Sequence, residues 1–196
     1  MVEAKAMSAP GAGVWVTGRE NHKLQLHVCD ILGDDWRMVR AIDLVNREAE
    51  LLDRKELERW QKLYTDDALY IIPIEQQRED YENALNMVYD DAAMRALRVA
   101  RMTEGYSIAS VDAAATARTL GRHVPAEAYE TENGEHLRFR AVQTLIAYKR
   151  GLHSIWAGEV EFVVRFGASA TADRILRKVI RLIDGDDVVS ATGFLL

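Results

Sequence analysis

The chain has one cysteine, three prolines and no long apolar run. Each shortage excludes something. A lone cysteine, Cys29, cannot close a disulfide within the chain. Nor can it supply the paired Cys and His ligands that a Rieske centre needs on its irons. No Cys or His residues stand at the short spacing of a zinc site. No apolar stretch approaches the ~20 residues of a membrane span. The opening "MVEAKAMSAPGAGVWVTGRE" lacks an apolar h-region, so no secretory signal is expected and the cytoplasm is the default. Positive charge is also short: 25 Lys and Arg stand against 31 Asp and Glu, a net charge of -6. A nucleic-acid partner calls for a basic stripe, and none is visible.

What is there fits a globular chain. Hydrophobic residues make up 48% of the 196 and charged residues 29%. Residues 1–35 carry Pro10 and four of the twelve glycines but no sustained period, and read as a partly flexible extension. Residues 36–196 read as a single domain. Met38, Ile42, Val45, Ala49 and Leu52 recur at helical steps, with Asp34 or Asp35 as the cap. Leu57, Trp60 and Leu63 or Tyr64 continue on a second, short helix, with Asp53 as its candidate cap. "ALYIIPI" is a strand that ends or bulges at Pro73. "YDDAAMRALRVARM" predicts a third helix capped by Asp90 or Asp91, with Met94, Leu97 and Arg101 on one side.

From about residue 118 the period changes to two. "TLGRHVPAEAY" is a strand broken at Pro125, and "ENG" at 132–134 marks a hairpin turn. In "HLRFRAVQTLIAYKR" the large groups change parity after Ala141, from Leu137 and Phe139 to Val142, Ile146 and Tyr148. That change predicts a β-bulge. "IWAGEVEFVVRF" and "RILRKVIRLI" complete the strands, and the apolar tip "GFLL" is expected to dock, with part of it offered to another chain. Helices first and long antiparallel strands after give an α+β domain. Its bulged, mostly antiparallel sheet curls around the helices as a cone.

Several residues invite a chemical reading. Asp66 and Asp67 could pair as catalytic acids, but turn chemistry alone accounts for adjacent Asp residues between a helix and a strand. His123, His136 and His153 could converge in a cone, yet no pair has ligand-like spacing, and structural histidines are favoured. Arg95, Arg98 and Arg101 could hold an anion; in an acidic chain, ion pairs account for them better. Trp60 and Trp156 could stack on an aromatic substrate, but large aromatics more often anchor a core or an interface. Cys29 shows no activating neighbour in sequence.

The order of these features resembles one family. "REAELLDRKELERWQKLYTDDALYIIPI", then "YDDAAMRALRVARM" with Arg98, Val99 and Arg101, then "RKVIRLIDGDDVVSATGFLL" with Arg177, Lys178 and Val179 are similar to the small (β) subunit of aromatic-ring-hydroxylating Rieske dioxygenases. The likeness covers about residues 37–196. The loop "IASVDAAATAR" departs from the family pattern, keeping Asp112 and Arg118 but not its tryptophan and prolines. Gly158 is followed by Glu159 and Val160 rather than a basic pair. The resemblance implies a cystatin-like cone fold and a non-catalytic scaffold with no catalytic, cofactor or metal residue of its own. It implies a large α partner carrying the Rieske cluster and a mononuclear iron, fed by a reductase, in an α3β3 assembly. Trp60, Arg98, Arg101 and Trp156 would be structural or subunit contacts. The alternative is a stand-alone cone-fold lyase or isomerase of the scytalone dehydratase or ketosteroid isomerase type, using Asp67 and a strand histidine. A plain assembly module is the third reading.

Overall fold

The computed structural model describes residues 24–26, 35–75, 77–103, 114–185 and 194–196. The expectations for Cys29, Asp34, Asp112 and nearly all of the 1–35 extension fall outside the described residues. In chain order the elements are β1 (Leu24–Leu26), α1 (Trp36–Asp53), α2 (Leu57–Gln61), β2 (Tyr64–Pro73), β3 (Asn86–Asp90), α3 (Ala92–Thr103), β4 (Ala115–Thr131), β5 (Gly134–Lys149), β6 (Leu152–Arg165) and β7 (Arg174–Leu182). The seven strands form one sheet in the order β1-β4-β5-β6-β7-β2-β3. All neighbours are antiparallel except β2 and β7, which run parallel. This is an α+β architecture with the helices against one face of the sheet.

Local chemistry sets the helix starts. The Asp35 carboxylate accepts the Arg37 main-chain N–H at 2.9 Å and caps α1. The Arg37 guanidinium forks back to Asp35 and reaches Glu135 on β5 at 3.0 Å. The Asp91 carboxylate accepts the Met94 N–H at 2.8 Å and opens α3. Met38, Val45, Ala49 and Leu52 of the expected α1 face are buried, joined by Ala41 and Leu44. Against them stands one parity of the sheet: Leu137, Phe139, Ala141, Leu145 and Ala147 on β5, with Val164, Phe162 and Val160 opposite on β6. The β4–β5 hairpin turns at Glu132 and Asn133, and Gly134 takes φ 116°, which an L side chain rarely adopts.

The structure corrects several sequence expectations. Asp66 and Asp67 are not a turn. The turn lies just before, closed by main-chain bonds from Lys62 and Leu63 back to Arg59 and Trp60. Both aspartates sit exposed in β2, where pairing with β7 skips from Tyr64 to Leu69. Asp53 does not cap α2, whose N-cap is Glu56. Asp53 ends α1 and binds Arg118 instead.

α3 is rotated from the expected face. Arg95 and Val99 are buried, while Met94 and Leu97 are each 44% exposed. The reason is backbone satisfaction. The Arg95 guanidinium donates to the main-chain oxygens of Ala68, Thr65 and Asp90, on β2 where the ladder skips and at the end of β3. β5 carries no bulge either: its inward parity holds from Leu137 to Ala147, and it pairs with β6 without a shift. The irregularities lie on β4, between Gly121 and Val124 and between Pro125 and Glu127. Proline lacks the ladder N–H, and Arg122 takes φ 50° in the first break. β4 continues past Pro125 and is bulged, not broken there. Strand β3 is unexpected: Asn86, Met87 and Val88 carry no element in the sequence reading, and Tyr89 and Asp90 read there as a helix start.

The outer face of the sheet has a small core of its own. Ile71 and Val179 are buried there beneath Tyr81, whose hydroxyl accepts from Arg181.

Candidate functional site

α1 and β7 each place one charged residue on an apolar stripe. Glu48 follows Ala41, Leu44 and Val45 on the buried face of α1. Lys178 sits at an inward position of β7, paired with Phe162 of β6 and Tyr70 of β2. Both are 0% exposed. Lys178 Nζ donates to Glu48 Oε1 at 2.9 Å and Oε2 at 3.0 Å. Trp60 Nε1 and the Tyr64 hydroxyl donate to Glu48 Oε1, each at 2.9 Å. The ammonium lies 5.6 Å from the ring centres of both Tyr70 and Phe162. Trp60 packs edge-on to Tyr64 and Tyr70.

The chain's last residues close this centre. The main-chain oxygen of Leu196 accepts from the Tyr70 hydroxyl at 2.5 Å and from Lys178 Nζ at 3.2 Å. Arg118, paired with Asp53, donates to the main-chain oxygen of Leu195. Phe194 meets Trp156 edge-on at 5.1 Å. Residues 194–196 of the "GFLL" tip therefore dock inward with Leu195 and Leu196 buried, and the expectation that these residues offer an outer patch is corrected.

Electrostatics follow burial. Desolvation pushes the Lys178 ammonium below the usual lysine value, against the opposing pull of Glu48. Burial, reinforced by the Glu48 charge, holds the Tyr64 and Tyr70 hydroxyls well above the usual tyrosine value. Both Glu48 oxygens are engaged and its partners are fixed by packing. A base or nucleophile must reach its substrate; this carboxylate and this ammonium have no exposed surface. The arrangement is that of a structural ion pair, in which each charge needs the other.

The residues singled out from sequence are scattered around this centre. Trp60 is a buried donor to Glu48. Trp156 is half-buried against Phe194. Arg98 binds Asp90 at 2.6 and 3.0 Å, and Arg101 is exposed. The three histidines do not converge. His123 lies against Phe139 on the inner face, with burial lowering its pKa. His136 stacks on Tyr129, and His153 is exposed beside Tyr148. This donor set does not fit an iron or an iron–sulfur cluster, and among the described residues no group of three His, Cys, Asp or Glu does. Sequence reading expected the tail to dock but passed over Glu48, and it named Lys178 and Arg118 only for the resemblance, without this role. The signal was present: a lone charge on an otherwise apolar stripe, at Glu48 on a helical step and at Lys178 on a strand step.

A second feature lies on the opposite face. A groove of about 670 Å³ runs over the outer sheet, lined by Arg138, Arg140, Arg181, Glu159 and Glu161 among others. Four of its charged side chains are in ion pairs, within the groove or with a neighbour beside it: Arg138 with Glu127 at 3.1 Å, Arg140 with Glu159 at 3.7 Å and Glu161 with Arg177 at 3.0 Å; Arg181 donates to the Tyr81 hydroxyl.

The fold has known counterparts. The β subunit of benzoate 1,2-dioxygenase from Burkholderia mallei superposes with a TM-score of 0.59 at 22% identity, over 78% of this chain and 93% of that one. A chain of naphthalene 1,2-dioxygenase with indole bound gives 0.59 at 16% identity, over 76% and 80%. A provisionally assigned scytalone dehydratase from Novosphingobium aromaticivorans gives 0.56 at 12% identity, over 79% and 90%. Identities this low show a shared fold and nothing more. No curated protein sequence matches the chain. The sequence model of the ring hydroxylating beta subunit matches residues 47–188, a span holding Glu48, Trp60, Tyr64, Tyr70, Arg118 and Lys178, and the chain belongs to that family.

Proposed function

We propose that this chain is the non-catalytic, structural β subunit of an aromatic-ring-hydroxylating oxygenase, in the cytoplasm, assembled with α subunits as α3β3. One observation carries the scaffold role: the converging ionisable groups inside the sheet are sealed and spent on one another and on the tail. The reacting atoms, the Rieske cluster and the mononuclear iron then belong to the α partner. The chain contributes shape. Its outer sheet face, with a groove of mixed charge and exposed Ile146, Tyr148 and Ile155 at one end, is the kind of mixed surface a partner subunit covers.

The test is reconstitution with a candidate α subunit. Replacing both members of the buried pair, Glu48→Gln with Lys178→Met, removes both charges together and spares the fold the cost of an orphan. Ring oxygenation by the assembled complex is expected to stay within about threefold of the parent. A loss of roughly 10²–10⁴-fold in an intact complex, the usual contribution of an acid–base group, would overturn the scaffold reading.

A further inference from the structure

Residues 194–196 are held as a ligand is held. The phenyl ring stacks edge-on against Trp156, both leucines are buried, and two consecutive main-chain oxygens are read by side chains of three strands. Tyr70 comes from β2, Arg118 from β4 and Lys178 from β7. Each donating cation has its own carboxylate on α1, Asp53 for Arg118 and Glu48 for Lys178. The wall facing the tail thus presents N–H and O–H donors without net charge, framed by apolar side chains. Such a wall recognises backbone and apolar bulk, and it depends on the peptide for its remaining hydrogen bonds.

We propose that the interior of the sheet is a binding site for a short apolar peptide segment, read through its main-chain oxygens, and that Phe194-Leu195-Leu196 is its resident ligand. When the resident side chains are cut back, the site takes the same segment in trans. The proposal stands on contacts within this chain and is independent of any α partner.

The experiment uses the full chain with Leu195→Ala and Leu196→Ala together, and separately with Tyr70→Phe. Removing two buried leucines is expected to lower the melting midpoint by about 10 °C or more. Losing the Tyr70 hydroxyl is expected to lower it by roughly 2–4 °C, with the fold kept. N-acetyl-Phe-Leu-Leu at millimolar concentration is then added, with N-acetyl-Ala-Ala-Ala as control. The leucine-containing peptide is expected to raise the midpoint of the cut-back variant and to change tryptophan emission saturably. The parent and the alanine control stay unchanged. A cut-back variant that is unfolded alone is expected to regain its circular dichroism with the peptide. An unchanged midpoint after truncation, no rescue by the peptide, or an equal rise in the parent overturns the proposal.

Discussion

Lys178 and Glu48 show how one residue pair can hold a fold without stabilising it in the usual sense. Taking either charge out of water is expensive, and only the other charge offsets it. Lys178→Met alone leaves Glu48 buried with neutral donors, and the expected loss is ~3–5 kcal/mol in denaturant melts. The Glu48→Gln, Lys178→Met double variant is expected to recover most of that loss; additive losses would show that the pair is not coupled. Tyr64 and Tyr70 add a pH signature. An unfolded tyrosine titrates near pH ~10, whereas burial keeps both of these protonated above that value in the fold. The folded state then holds protons that the unfolded chain releases. Their stabilisation is complete below pH ~10 and is lost as pH climbs toward the raised folded values. Lys178 runs the other way: its lowered value makes its burial costly at neutral pH, and that cost fades toward pH ~10.4. Absorbance at tyrosinate wavelengths is the check. Tyr64 and Tyr70 should ionise only together with unfolding, and their titration in the intact fold near pH ~10 would contradict the burial argument.

Among the elements, α3 is the instructive case. Its apolar spacing pointed to Met94 and Leu97 as the inward side, but Arg95 and Val99 hold that place. Arg95 wins because the skipped pairing of β2 leaves main-chain oxygens that need donors, and a guanidinium supplies several. Val99→Ala is therefore expected to cost ~1–3 kcal/mol in the isolated chain, while Met94→Ala and Leu97→Ala stay within ~0.5 kcal/mol. Thermal or denaturant melts decide, and a reversed order would restore the spacing-based face. β5 teaches the same lesson for strands. Ile146 and Tyr148 belong to the outer parity and remain exposed, so their size says nothing about a bulge.

At the scale of the whole molecule, the exposed end of the β5–β6 hairpin carries the assembly argument. Ile155 is 64% exposed, paired with Ile146 and near Tyr148 on the outer face of the sheet, and Leu152, 74% exposed, stands at the strand's start on the other parity. A lone chain gains nothing from such a patch. The expected state is a trimer of this chain, or a mixed hexamer with α subunits, with interfaces above ~1,000 Å². Ile155→Asp is expected to leave the melting behaviour near the parent's and to shift light scattering toward a 22 kDa monomer. An assembly that tolerates the charge at full strength would move the interface elsewhere. No described helix is long and apolar enough to cross a membrane.

By itself the sequence determined the class and much of the outline. Periods of helix and then strand set α+β, the Asp34-Asp35 pair marked the start of α1, "ENG" set the hairpin, and the order of segments pointed to the family. These are local signals, readable because capping, turn geometry and side-chain alternation act over a few residues. The tertiary structure decided what depends on distant partners. It buried Glu48 with Lys178, 130 positions apart, and folded Leu196 onto Tyr70, 126 apart. It spent Arg95 and Arg118 on main-chain oxygens and left Asp66 and Asp67 in a strand. No local spacing encodes such contacts, because whether a charge lies in water or in a core is settled only when the sheet closes around the helix.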